Sequence, residues 1–475
     1  MPPPPLLKLL VPEAPAHKRT ERDITAGDAA RRVRAAPFLR ERRVEPGLKS
    51  PALVSSYAGA IERVLFAFPK YAVTDPALAA GYQSVIKALR PGTEFVVVHA
   101  KSSASIVGGW FKAAGHATSK VTHVPMPDYV SFTDWAEDGY VSLNDSRDGT
   151  HYLMEPWEFP RAGDALIAES VEEYTKTRTA QAPLIFQGGN CLIGDTFWLL
   201  GKDYFADSTH LVQGDRPPVE IPRRMTPETF VRRLFSDYVD ARRRLTLVGT
   251  ARPIPIRPYY GTRSGEDYFL DIPADGAGTF QPIFHIDMFI TLVGKTRGPG
   301  FHVLVGSPKL ADETLGTESP FSLSEVYDGM ARRLAAAGVK VHRNPLVHRP
   351  TVGRQKRTLS ELRQLAATPD YQDLIPAIDE LAAAGAGDAT SVAVRTWHHI
   401  TWNNCLVENS TKVGKHVYLP TYGHGPNADL KVVDDAMGAL WEELGFTVHP
   451  LGDFNAFAER QGVVHCIKKY MRRGK

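Results

Sequence analysis

The sequence predicts an α/β fold of five strand-strand-helix-strand units, joined in a ring that is sealed by pairing the last strand of the chain with the first. Three observations carry this expectation. One secondary-structure rhythm recurs without any copied motif, two orphan strands stand at opposite ends of the chain, and radial repetition of such units leaves few exposed sheet edges. With 475 residues, 43% hydrophobic and 23% charged, the chain can bury a sizeable core.

Taken in chain order, the first orphan strand is "RVLFAFP" near residue 65, followed by the helical "PALAAGYQSVIKALRPG" and the strand "TEFVVVHA". The next unit reads "DWAEDGYVSLNDSRDGTHYLM" as a hairpin, "AGDALIAESVEEYTK" as a helix and "APLIFQG" as a strand. A third runs through "NCLIGDTFWLLGKDYF", "TPETFVRRLFSDYVDARR" and "LTLVGT". The fourth copy is the clearest. In it "FHIDMFITLVGKTRGPGFHVLVGSP" gives two apolar strands around a Gly-rich turn, "SLSEVYDGMARRLAAAG" a helix with a Gly stop, and "VKVHRNPLV" the closing strand. The fifth is "TWNNCLVENSTKVGKHVYLPTYG", "ADLKVVDDAMGALWEELG" and "FTVHPLGDF". The terminal "GVVHCIKKY" then supplies the strand that the first unit lacks.

Outside the ring we place residues 1–60 as a basic N-terminal extension, peripheral and partly disordered, and treat 61–475 as one domain. A helical insertion falls at about 350–395, around "TLSELRQLAATPDYQDLIPAIDELAAAG", and "GTARPIPIRPYYGTRSGED" reads as a rim loop. The basic C-terminal tail reads as a solvated end.

Composition excludes several classes. A net charge of +3 is too small to imply nucleic acid. No apolar run approaches the roughly 18 residues of a membrane span, and the start lacks the pattern of a secretory signal, so the expected location is the cytoplasm. Three cysteines, Cys191, Cys405 and Cys466, lie far apart without CxxC spacing, which argues against a disulfide framework or a structural zinc site.

In a ring of such units the starts of the first strands converge. Those positions hold Asp134, Trp135, Glu137 and Asp138; Gln187, Gly188, Gly189 and Asn190; His285 and Asp287; Asn403 and Asn404; and His465 and Cys466. His285 and Asp287, two apart in an apolar strand, share one face and cost stability unless something polar meets them. Carboxylates beside a thiol suit a planar cation. A guanidinium offers paired N–H donors in a fork that matches a carboxylate, and Trp135 could cover its stem or stack on its face.

The elements "DWAED", "FHID", "WNN" and "GVVHCI", in that order, resemble the guanidino-group-modifying superfamily with the pentein fold, a five-bladed α/β propeller of ββαβ modules with pseudo-five-fold symmetry. The nearest resemblance is to peptidylarginine deiminases, then to agmatine deiminases, and it covers roughly residues 60–475. It implies Cys466 as nucleophile, His285 as general acid and later base, and Asp138 and Asp287 as the carboxylates that grip the guanidinium. Asn404 matches an active-site asparagine loosely, and the "QGGN" turn brings Gly188, Gly189 and Asn190 to the substrate side, with Asn190 left open between a structural and a substrate-binding role. His465 is expected to hold backbone geometry.

The reaction so implied is hydrolysis of peptidyl-arginine to peptidyl-citrulline and ammonia through a covalent amidino-thioether. The alternative is a deiminase of agmatine or free arginine, or an amidinotransferase, using the same residues. A cysteine acyl-transfer enzyme and an inactive arginine-binding module remain the competing classes. The chain departs from calcium-dependent peptidylarginine deiminases where Asp138 is followed by "GYVSL", not by acidic residues. No metal ligand is therefore assigned, the sequence itself requires no cofactor and leaves calcium dependence open, and "NDSRDG" reads as a hairpin tip in place of a calcium loop.

Overall fold

The computed structural model describes residues 48–474 apart from 256–258, 274–278 and 297–299; of 352–354 and 370 only the backbone is described. Most of the basic extension, residues 1–47, lies outside the described residues.

The chain forms mixed sheets in which one strand order recurs: an antiparallel pair, then a helical crossover to a parallel third strand. In the first unit Lys468–Gly474 pairs antiparallel with Ala60–Phe68, which pairs parallel with Glu94–Ala100. Val141–Asp145, His151–Glu155 and Arg178–Gln181 form the second. Cys191–Ile193, Phe197–Gly201 and Arg244–Val248 form the third. Ile290–Gly294, Phe301–Ser307 and the start of Val339–Thr358 form the fourth, and Leu406–Ser410, Gly414–Thr421 and Thr447–Asp453 the fifth. Ala60–Phe68 and Glu94–Ala100 are largely buried on both faces, which is why they read as the continuous apolar runs "VLFAF" and "FVVVHA".

Local signals set the crossovers. Asp75, Thr226 and Ser307 each accept backbone N–H groups at a helix start, and each is followed by proline at the first helical position. Gly316 takes a left-handed conformation (φ 64°) to end the helix Pro308–Leu315.

Three sequence expectations shift. Residues 51–60, placed with the peripheral extension, belong to the packed body: Pro51–Leu53 is an edge strand on Val141–Asp145, and Leu53 N donates to the buried Asp240 (3.1 Å). The strand expected at "GVVHCIKKY" runs Lys468–Gly474, so the basic tail read as a solvated end continues the pairing with Ala60–Phe68, and Lys468, Lys469, Tyr470 and Met471 are buried. The stretch read as a rim loop contains the hairpin Tyr260–Ser264 and Asp267–Ile272, with Gly265 at its tip (φ 60°).

That hairpin joins the insertion. Asp267–Ile272 pairs with Ser391–Thr401, which pairs with the long strand Val339–Thr358, so one six-stranded sheet passes from the fourth unit into the insertion. Its helices Leu359–Ala366 and Ile375–Ala383 cover a separate small core that includes Leu270, Leu362, Ile378, Leu381 and Val394. The insertion is therefore α/β, its strand formers "SVAVRTWHHIT" having been overlooked beside strong helical periodicity. The segment "NDSRDG" is a hairpin tip in which Asp145 and Asp148 accept backbone N–H groups from Arg147 and Thr150.

Two histidines, His398 buried and His151 partly buried, set an acid limit on this body. Burial draws both His151 and His398 down to about 4, with nearby arginines adding to the effect. The unfolded chain, whose histidines titrate near 6.5, then binds protons more readily than the native one, so stability falls as pH drops through about 6.5 and keeps falling toward about 4. Thermal unfolding should show Tm declining from about pH 7 to pH 4.5, and His398→Gln should flatten that slope.

Candidate active site

The loops that open the first strands of the five units meet, and each is hydrogen-bonded to the next. Glu137 N donates to Cys466 O (3.0 Å) and Gly188 N to Asp138 O (3.2 Å). Ile286 N donates to Asn190 Oδ1 (3.0 Å), and Asn404 Nδ2 to Asp287 O (3.4 Å). His465 N and Cys466 N both donate to Asn404 Oδ1, at 2.8 and 3.2 Å. The bonds thus run through all five loops and return to the segment where they began.

Cys466 is fully buried, and its Sγ accepts from Asn404 Nδ2 (3.2 Å) and lies 3.7 Å from Asp287 Oδ2. Asn404 therefore fixes both the backbone and the sulfur of the nucleophile candidate. Asp287 Oδ2 accepts from His465 Nδ1 (2.9 Å), a side-chain role that the sequence reading did not give to His465. Burial, reinforced by Lys468, pulls the His465 pKa below its ordinary value despite Asp287 and Glu137, so this imidazole is neutral.

His285 sits in extended backbone immediately before a 3-10 turn, Ile286–Met288, that carries Asp287. The two side chains are brought together by this turn; the strand itself starts at Ile290. His285 Nε2 donates to Gln187 Oε1 (2.9 Å) with Tyr204 Oη at 3.4 Å, which turns Nδ1 toward Asp138 Oδ1 (3.6 Å). Asn190 Oδ1, accepting from Ile286 N and from Gln281 Nε2 (both 3.0 Å), holds the turn from behind.

Asp138 is buried and its Oδ2 accepts from Arg161 Nη2 (2.7 Å). Arg161 in turn reaches Asp164 through Nε (2.6 Å), and Asp164 accepts from Thr133 N and Oγ1 (both 2.6 Å). Burial works against the guanidinium charge of Arg161, but Asp164 and Asp138 outweigh it and hold its pKa above the ordinary value. The sequence reading gave Asp138 a two-pronged grip on substrate; one of its oxygens is engaged by a resident guanidinium instead. Nothing in "EFPRAGD" distinguishes Arg161 from a surface arginine.

Gly188 and Gly189 owe their identity to close approach. A Cβ at Gly188 would collide with Glu137 O and Lys469 Nζ, and one at Gly189 would lie 2.5 Å from His285 Nδ1 and 3.2 Å from Asp287 Oδ2. The latter pair of distances puts the imidazole and the carboxylate around one point above the Gly189 backbone. Trp135 packs its ring on Gly462, in the loop before the thiol, where a Cβ would strike the indole. Asn403, by contrast, is tied to Thr291 and Asn344 behind the site.

Among the described residues no group of three or more His, Cys, Asp or Glu side chains is arranged to hold a metal ion, and no helix is long and apolar enough to cross a membrane.

No protein-family model and no curated protein sequence matches the chain. Solved structures do. One assigned as an agmatine deiminase aligns over 92% of this chain and 100% of its own, with TM-score 0.55 and 15% identity. The agmatine deiminase of Enterococcus faecalis aligns over 90% and 98%, with TM-score 0.52 and 13% identity. Another assigned as a peptidyl-arginine deiminase covers 90% and 100%, with TM-score 0.52 and 12% identity.

The chain shares its fold with these deiminases. The mixed α/β sheets thus agree with the superfamily fold that the sequence motifs suggest.

The two glycines make separable predictions. Gly188→Ala meets a backbone carbonyl that cannot retreat cheaply and should lower Tm markedly, whereas Gly189→Ala meets a side chain and should displace His285 with a smaller loss. Thermal unfolding together with the histidine ring signals in NMR would check both.

Proposed function

We propose that this protein hydrolyses the guanidinium group of a small molecule of the agmatine or arginine type, releasing ammonia and leaving a ureido product. The single observation that carries the reading is the convergence of Cys466, Asp287, Asp138 and His285, all at 1% exposure or less. Charge supports it. Asp138 and Asp164 are buried there and share the one guanidinium of Arg161, so a substrate guanidinium supplies a missing positive charge beside Asp138. The depth of the thiol favours a slender substrate over a protein chain, and the agmatine deiminase structures with the same fold favour it too.

In this mechanism the Cys466 thiolate attacks the guanidinium carbon while Asp287 and Asp138 Oδ1 orient the N–H groups. The C–N bond breaks as His285 protonates the departing ammonia, leaving an amidino-thioether on sulfur. His285 then takes a proton from water as that water attacks the same carbon, the C–S bond breaks, and the thiolate returns. Asn404 and His465 act as positioning groups for sulfur and for Asp287. Trp135 holds the loop of the nucleophile, and no cofactor or calcium ion is required.

We further infer that the five units surround a pseudo-five-fold axis within one catalytic body, closed by the pairing of Lys468–Gly474 with Ala60–Phe68. The hydrogen-bond circuit through the five loops supports this arrangement.

Agmatine, free arginine and a benzoyl-arginine ester should be compared by ureido product and ammonia release. Turnover of a small guanidine is expected, undiminished by a chelator and reduced about a thousand-fold or more in Cys466→Ser. Turnover confined to the peptide-like ester would return the assignment to peptidyl-arginine, and no ureido product from any of the three would overturn the reaction class.

A further inference from the structure

The last strand brings two lysines into the interior. A strand sends neighbouring side chains to opposite faces, yet Lys468 Nζ and Lys469 Nζ both end on Glu137, each at 2.8 Å from one of its oxygens. One ammonium suffices to neutralise one carboxylate. The second leaves a unit of positive charge in the interior, which is costly unless a further anion shares the space.

The neighbours of the cluster identify that anion. Lys468 Nζ lies over the Tyr470 ring (3.9 Å) and Lys469 Nζ faces Tyr140 (5.6 Å); burial raises both phenols, so neither is charged at neutral pH. His465 is held neutral by burial and by Lys468 itself, and Cys191 is pushed up to about 12 by burial. Asp138 and Asp164 are met by Arg161, which leaves Asp287, which feels Lys468, and Cys466, whose carbonyl accepts from Glu137 N (3.0 Å). The Asp287 carboxylate, 3.7 Å from Sγ, opposes ionisation of the thiol, and a second ammonium offsets that opposition.

We propose that Glu137, Lys468 and Lys469 form a charge-setting cluster whose surplus ammonium lets Cys466 ionise in the resting protein, before any substrate cation arrives. The S–H bond breaks with its electron pair kept on sulfur, and the proton passes to solvent. These are positioning residues: they touch no reacting atom. Burial draws Lys468 down to about 8, so the surplus charge is present at neutral pH and fades above it. Burial favours the neutral acid at Glu137, but Lys468 and Lys469 outweigh it and keep the carboxylate ionised. The role rests on the deiminase reading for what the thiolate attacks, not for its existence.

The test is the pH dependence of iodoacetamide labelling, read at the Cys466 peptide by mass spectrometry, with Cys191 and Cys405, both pushed up to about 12 by burial, as internal comparisons. In the unmodified protein the Cys466 midpoint should fall below the ordinary thiol value of about 8.5; a midpoint above it overturns the proposal. Lys468→Gln should raise the midpoint by about one pH unit or more, and Glu137→Gln with Lys468→Gln, which restores the original net charge, should bring it back. A double variant no closer to the unmodified protein than the single one makes the cluster merely structural and overturns the proposal. Lys469→Gln repeats the test through the other ammonium should Lys468→Gln not fold. Labelling needs no guanidine, so a low midpoint without ureido product would sink the proposed reaction and leave this inference standing.

Discussion

Burying charge is the constraint on which this site depends. Asp138, Asp164, Asp287, Glu137, Arg161, Lys468 and Lys469 are all at 6% exposure or less, and an ion taken out of water costs several kcal/mol unless a partner meets it in good geometry. Each therefore fixes the chain around it. Arg161 bridges Asp138 and Asp164, and Asp164 clamps Thr133, so the whole "TDWAED" loop is immobilised by one guanidinium. On the far side the lysines lock Glu137 of the same loop to the last strand.

Backbone polar groups impose the same demand at shorter range. Loops that meet in an interior carry N–H and C=O groups that no strand ladder satisfies, and each must find a partner in the neighbouring loop. Asn190 and Asn404 answer this with side-chain amides that imitate backbone, one holding the His285 turn and the other the Cys466 turn. The glycines at 188 and 189 follow from it, since loops this close leave no room for a Cβ.

Much of this was legible in the sequence, and what was not has a common cause. The unit order could be read because strands buried on both faces are continuous apolar runs and the crossover helices carry Asp-Pro, Thr-Pro and Ser-Pro starts. The convergence of Cys466, His285, Asp287, Asp138 and Asn404 followed from that order. Arg161 was invisible because its importance lies in what surrounds it: an arginine in a loop normally points to water, and only folding brings Asp138 and Asp164 to it. Lys468 and Lys469 fall in the strand expected at "GVVHCIKKY", but their burial was illegible for the same reason, as residue type predicts exposure for lysine and only the partner at Glu137 overrides it. The insertion was read as helical because its helices are strongly periodic, while its strand Ser391–Thr401 depends on a hairpin whose Tyr268 pairs with Val392, far earlier in the chain.

Fold and chemistry share residues at the end of the chain. Lys468 and Lys469 stand opposite Phe66 and Leu65 in the strand register while their ammonium groups hold Glu137, and the turn before them presents Cys466. A substitution in this strand therefore acts on two quantities at once, the pairing of the chain's two ends and the charge around the thiol. Changes that preserve charge but not pairing, or pairing but not charge, separate the two. The paired substitution at Glu137 and Lys468 is informative for this reason: it removes one of the two ammonium groups and its contact with the carboxylate while leaving the net charge near the sulfur unaltered.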